Sequence, residues 1–144
     1  MEKSIVSVKN LSHRYSVQWA VKDVSFEINE KGVTGLLGSN GAGKSTTMNI
    51  ICGVLNQTQG DVFINGVNLR ENPVEAKKNI GFLPQQPPLY TDLTVGEYLR
   101  HAAFLRLVEP DKVDEAVDVA LEKCSITHFR DRLIKNLSGG YQQR

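Results

Sequence analysis

Cysteine is scarce in this 144-residue chain: there are two, Cys52 and Cys124, far apart and without the close spacing of a metal knuckle. That excludes a disulfide scaffold and a cysteine-based zinc site, and the pair reads as reduced, buried side chains of a cytoplasmic protein. Excess charge of either sign is also missing. Seventeen Lys and Arg stand against sixteen Asp and Glu, a net charge of +1, so nothing draws the chain generally toward nucleic acid or an anionic membrane. Long apolar runs are absent as well. The longest, such as Ile50–Leu55 and Val33–Leu37, fall far short of the ~20 residues that a membrane-spanning helix needs. No basic segment followed by an apolar one opens the chain, so no export signal is visible. What remains is 40% hydrophobic and 23% charged residues, the composition of a soluble globular domain with a real core.

The first third alternates strand patterns with turn signals. Val6 and Val8 alternate with Ser7 and Lys9, and Val24, Phe26 and Ile28 alternate with Ser25, Glu27 and Asn29. That period of two predicts half-buried antiparallel strands. Val33–Leu37 is a short apolar run ending in glycine, the pattern of a strand buried on both faces. Val62 and Ile64 lead into Asn65-Gly66, a tight hairpin signal, followed by Val67 and Leu69. From Lys44 the period turns helical, with Met48, Ile51, Cys52 and Leu55 on one predicted apolar face.

Asn72-Pro73-Val74-Glu75 and Thr94-Val95-Gly96-Glu97 both read as helix starts with a capping box. The second opens a helix that Pro110 is expected to end. Ile80–Leu83 is a further short buried-strand candidate, halted by Pro84. Val113, Val117, Ala120, Leu121 and Cys124 form the apolar stripe of another helix. A mixed sheet region is thus followed by a mainly helical one.

Gly38-Ser39-Asn40-Gly41-Ala42-Gly43-Lys44-Ser45 matches G-x-x-x-x-G-K-[ST] at every fixed position. Glycines let the backbone curl until successive N–H groups surround an anion. The helix that follows adds its N-terminal N–H groups and the positive end of its dipole. Lys44 brings a mobile positive charge to the terminal phosphates and the Ser45 hydroxyl can ligate Mg²⁺; Thr46 is a further phosphate contact. A glycine-rich turn that merely happens to carry a lysine is the plain alternative. The apolar run before the loop and the patterned helix after it speak against that reading.

Leu137-Ser138-Gly139-Gly140-Tyr141-Gln142-Gln143-Arg144 is a second helix start, with Ser138 as N-cap and two small residues leaving room for a bulky anion. On its own, Ser-Gly-Gly is more often a flexible loop. Together, the two motifs resemble the nucleotide-binding domain of ABC (ATP-binding cassette) transporters, whose signature sequence LSGGYQQR matches, and the resemblance runs in order along essentially the whole chain.

The resemblance implies an α/β fold of the P-loop NTPase type, with N-terminal antiparallel strands and a helical subdomain. Residues 1–85 would form the nucleotide-binding part and 86–144 the subdomain carrying the signature. Tyr15 would be the aromatic residue that stacks on adenine, where an ordinary surface tyrosine is the alternative. Gln85 would touch Mg²⁺ and the attacking water, although Gln86 stands next to it and the register could slip by one. Gly38 to Thr46 would hold the phosphates of ATP. Ser138, Gly139 and Gly140 would face the γ-phosphate of a nucleotide held by a second copy, paired head to tail. Transmembrane subunits would be the partner, placing the protein on the cytoplasmic face of a membrane, and no nucleic acid is expected. Leu89-Tyr90-Thr91-Asp92-Leu93-Thr94 is similar to the export branch.

The family pattern continues with a Walker B strand ending in Asp and Glu, a D-loop and a switch histidine. None of these stands between Leu137 and Arg144, so the chain reads as the N-terminal part of a longer polypeptide, able at most to bind nucleotide and not to hydrolyse it. Val33–Leu37 would then lack its neighbouring strands, an invitation to association between copies. His13, His101 and His128 read as ordinary solvent-facing or half-buried residues. The competing classes are an ABC-type ATPase acting on nucleic acid or in translation, and a small P-loop kinase or GTPase. The latter would leave the pattern at Leu137 and Tyr15 unexplained.

Overall fold

The alternating segments of the first third pair with one another as their period requires. In the computed structural model, which describes residues 4–144, β1 (Val6–Tyr15) and β2 (Gln18–Ile28) form an antiparallel hairpin. β1 also pairs antiparallel with β3 (Gln59–Ile64), and β3 with the two-residue β4 (Val67–Asn68). The sheet order is β2-β1-β3-β4. Asn65 and Gly66 join β3 to β4 at φ 48° and 75°, the pair of left-handed residues that makes a two-residue hairpin follow the twist of its strands.

The chain divides into two compact units, one reaching to Phe82 and the other running Leu83–Arg144. In the first, Val8, Leu11, Val21, Val62 and Ile64 of the sheet pack with Leu69 and with one buried residue from each of two helices. These are Ile50 of α1 (Lys44–Ile51) and Ala76 of α2 (Pro73–Lys77). Each fully buried Leu, Ile or Val here contributes roughly 1.5–3 kcal/mol.

The second unit is helical. α3 (Val95–Leu105) and α4 (Val113–Lys123) enclose Val95, Val113, Val117 and Leu121, completed by Ile126 and Ile134. Of the stripe expected on α4, Val113, Val117 and Leu121 are buried, and Ala120 and Cys124 are half-buried. Thr94 and Glu97 form a full capping box: the Glu97 N–H donates to Thr94 Oγ1 at 3.3 Å, and the Thr94 N–H donates to Glu97 Oε2 at 2.8 Å. The Thr94 N–H foremost, and the Thr94 hydroxyl donating to the same Glu97 Oε2 at 2.9 Å, hold the Glu97 carboxyl below its ordinary value. Arg100 of α3 reaches Asp114 of α4, holding that carboxyl low as well. The last helix, α5 (Gly139–Gln143), is a single short one.

Several expectations fail for identifiable reasons. Val33–Leu37 and Ile80–Leu83 are not strands, and the sheet among the described residues does not include them; Val33 and Leu37 are 104% and 92% exposed. A run of apolar residues becomes a strand only when a neighbour supplies its ladder bonds. Of the face expected on α1, Ile51 and Leu55 pack against the core while Met48 is exposed, and the fully buried residues of the helix are Thr47 and Ile50.

The box expected at Asn72 does not form, and Asn72 makes no side-chain cap. Its N–H donates instead to the Asn68 carbonyl at 2.9 Å, and Glu75 pairs with Lys78 at 2.9 Å. α3 stops at Leu105, ahead of Pro110, because Leu107 turns left-handed at φ 59°. Cys52 and Cys124 are free and half-buried, not buried; partial burial raises the Cys52 thiol above its ordinary range. His13 is buried, against expectation, whereas His101 and His128 are exposed.

Candidate functional site

The loop Gly38–Gly43 ends where α1 begins, and glycines shape its last turn. Gly41 and Gly43 stand at φ 85° and 88°, and Gly43 is the N-cap of α1. A side chain at 43 is excluded twice over: its Cβ would lie 2.4 Å from the Ala20 carbonyl and 2.9 Å from Val21 Cγ2. The loop is therefore seated directly on β2. The first helical bond runs from the Thr47 N–H to the Gly43 carbonyl at 2.8 Å, so the N–H groups of Lys44, Ser45 and Thr46 stand ahead of the ladder. α1 has no side-chain cap and no acidic residue in its first turn, which leaves the positive end of its dipole uncompensated. Lys44 Nζ donates to the carbonyls of Gly38 and Ser39 at 2.6 and 2.7 Å, holding its charge over the loop. Ser39 and Asn40 lie exposed within it, and the Ala42 N–H closes it with a bond to the Ser39 carbonyl at 3.2 Å.

Tyr15 lies at the end of the β1–β2 hairpin, opposite Gln18 and 54% exposed. Its ring meets that of His13 edge-on, with centroids 4.7 Å apart. This hairpin end is also where Ala20 and Val21 carry the loop, so residues far apart in sequence come together in the first unit. Nothing in the residue pattern marked His13 beyond its position two before Tyr15 on one face of a strand.

Gln85 falls in the second unit, with the Leu137–Arg144 motif. Gln85, Gln86, Pro87, Gly139, Gln142 and Gln143 line a cavity of about 280 Å³. Ser138 occupies the N-cap position of α5, but its side chain makes no cap bond; its carbonyl accepts from the Gln142 N–H at 3.0 Å. Beside Gly139 and Gly140 there is open space where a Cβ would be. Gln142 Nε2 donates to the carbonyls of Ile134 and Leu137 at 3.0 and 3.2 Å, and the Tyr141 ring packs on Phe129 at 4.7 Å, so α5 is tied down on two sides. In the same unit Leu89–Leu93 and His101 border an open groove of about 580 Å³. Among the described residues no group of three or more His, Cys, Asp or Glu could hold a metal ion.

The model of the ABC transporter family matches residues 21–144. The chain belongs to that family. Lipopolysaccharide export system ATP-binding protein LptB of Haemophilus influenzae is 38% identical over 98% of the chain and 60% of its own length. The phospholipid-transporting ATPase ABCA3 of Rattus norvegicus is 33% identical over 96% of the chain and 8% of its own. Among solved structures, an ATP-binding subunit of an ABC transporter superposes with a TM-score of 0.84 at 30% identity, covering 97% of the chain and 58% of that structure. CbiO1 of Clostridium perfringens, part of the ABC transporter complex cbiONQ, gives 0.82 at 28% identity, covering 99% and 59%. The chain thus spans about three fifths of the length of LptB and of these structures, and its fold is that of an ABC ATPase: an α/β P-loop core bearing antiparallel strands and helices. No helix among the described residues is long and apolar enough to cross a membrane.

Proposed function

We propose that the chain binds ATP with Mg²⁺ as part of the ATP-binding subunit or domain of an ABC transporter of the export type. In the whole protein, binding and hydrolysis would be coupled to transport through a transmembrane partner. The observation that carries the reading is the start of α1: a glycine N-cap, N–H groups ahead of the ladder, no acidic side chain, and Lys44 beside them. An anion there meets donors and positive potential at once. The residues fit the nucleotide: Gly38–Gly43 supply the curl, Lys44, Ser45 and Thr46 the donors at the helix start, and Tyr15 an exposed ring for adenine. Ser45 would hold the Mg²⁺ that arrives with the phosphates, and the ion neutralises charge on the β- and γ-phosphate oxygens when bound. Gln85 is proposed as a further contact of that ion and of the attacking water, on the family pattern alone.

Ser138, Gly139 and Gly140 are proposed to meet the γ-phosphate held by a second copy, arranged head to tail; the open space at both glycines supports this. The groove at Leu89–Leu93, with Tyr90 exposed beside it, is the surface proposed for the transmembrane partner, on the cytoplasmic face. The names of LptB, a lipopolysaccharide export protein, and ABCA3, a phospholipid transporter, support the export side. The 144 residues alone would bind ATP without turning it over, since the Asp and Glu that the family pattern places on the Walker B strand to orient water are not among them.

Calorimetry with ATP and Mg²⁺ tests this on the chain itself. Binding should appear, and Lys44→Ala should weaken it by about ten- to a hundredfold, the worth of a charge-assisted contact. Phosphate release should stay at background. No detectable ATP binding, or a Lys44→Ala variant that binds as the wild type does, sinks the reading.

A further inference from the structure

His13 is 8% exposed, and neither of its ring nitrogens has a hydrogen-bond partner. An unmet buried donor and acceptor weaken a fold, and an apolar side chain of similar size would avoid that cost, so stability does not explain a histidine here. Its surroundings suggest what does. The ring stands edge-on to Tyr15, centroids 4.7 Å apart and planes at 81°, the favoured arrangement for an aromatic pair. The cross-strand partner of His13 is Val21, the residue whose Cγ2 lies under Gly43. The hairpin end that seats the phosphate loop thus also carries, through His13, the orientation of an exposed ring.

We infer that His13 is a positioning residue that fixes the Tyr15 ring for contact with a nucleobase, and so sets the preference for base-bearing nucleotides over bare triphosphate. This rests on the reading above, in which the loop takes the phosphates and Tyr15 the base. A tyrosine 54% exposed would otherwise choose among several rotamers. Holding one beforehand removes that ordering cost from binding.

The test measures affinity for ATP and for inorganic tripolyphosphate by calorimetry, on the full chain and three variants. His13→Leu fills the space without an aromatic edge, and His13→Phe restores that edge; neither leaves a buried nitrogen unpaired, so both should fold. Tyr15→Ala checks the underlying reading. His13→Leu should weaken ATP about three- to tenfold, the worth of an aromatic pair, and His13→Phe should stay within about twofold of wild type by keeping that pair. Tripolyphosphate affinity should hold in both. If Tyr15→Ala leaves ATP affinity unchanged, the base-contact reading fails and takes the proposal with it. If Tyr15→Ala weakens ATP while His13→Leu does not, the His13 proposal alone is overturned. It is overturned likewise if His13→Phe loses as much as His13→Leu, or if His13→Leu weakens both ligands alike.

Discussion

α1 and α3 start in opposite ways. α3 satisfies its own first turn: Thr94 and Glu97 exchange hydrogen bonds with each other's backbone, and Glu97 sets a negative charge at the positive end of the helix. α1 does neither, with a left-handed glycine as N-cap and no acidic residue in its first turn. The two helices are comparable in length, so the contrast is not one of size. A helix that completes its own cap is structural at that end. One that leaves donors and dipole unmatched, and spends a glycine on a left-handed turn to do so, offers them to an anion from outside.

The contrast breaks most severely at Gly43. Gly43→Ala forces a Cβ to within 2.4 Å of the Ala20 carbonyl at φ 88°, and should cost about 2–3 kcal/mol of stability in thermal or urea unfolding, with ATP binding lost. Gly41→Ala sharpens the point. Its φ is nearly the same, but nothing lies within 4 Å, so only the left-handed strain of roughly 1–2 kcal/mol should appear. An equal effect from both would remove contact with β2 as the reason for glycine at 43.

At the other helix, Thr94→Ala should cost about 1 kcal/mol while ATP affinity holds. Acid should shrink that difference. The Glu97 carboxyl titrates below its ordinary value in the folded chain, so its contribution is complete above the ordinary carboxylate range. It is lost as the pH falls through the lowered value. The cost of Thr94→Ala, followed by urea unfolding at successively lower pH, should decline there; a cost independent of pH would show that Glu97 takes no part in the cap. The smallest effect is expected at α5. Ser138 makes no side-chain cap bond, so Ser138→Ala should change stability by under about 0.5 kcal/mol, the range of an ordinary surface substitution. A loss as large as that of Thr94→Ala would give Ser138 a structural cap after all.

Features that depend on a few neighbouring residues were legible before any fold was known. Asn65-Gly66 predicted its hairpin and Thr94-Val95-Gly96-Glu97 its capping box. Gly38–Ser45 predicted the curled loop before a helix, and LSGGYQQR completed the family pattern. Similar spelling did not guarantee similar structure: Asn72 carries the same box pattern as Thr94 and does not form it, because the Asn68 carbonyl takes the N–H that Glu75 would need. Val33–Leu37 reads as a buried strand and stands unpaired. Ile80–Leu83 reads as a strand too and is not one.

The sequence by itself determined the curled glycine loop before α1 and the family, since a glycine's freedom, a lysine's charge and a cap's reach are properties of short stretches of chain. Only the tertiary structure decided that Gly43 rests on Ala20 and Val21, that His13 is buried against Tyr15, and which apolar runs become strands. Each of those depends on a neighbour supplied from elsewhere in the fold, and a ladder bond or a packed ring exists only when that neighbour arrives.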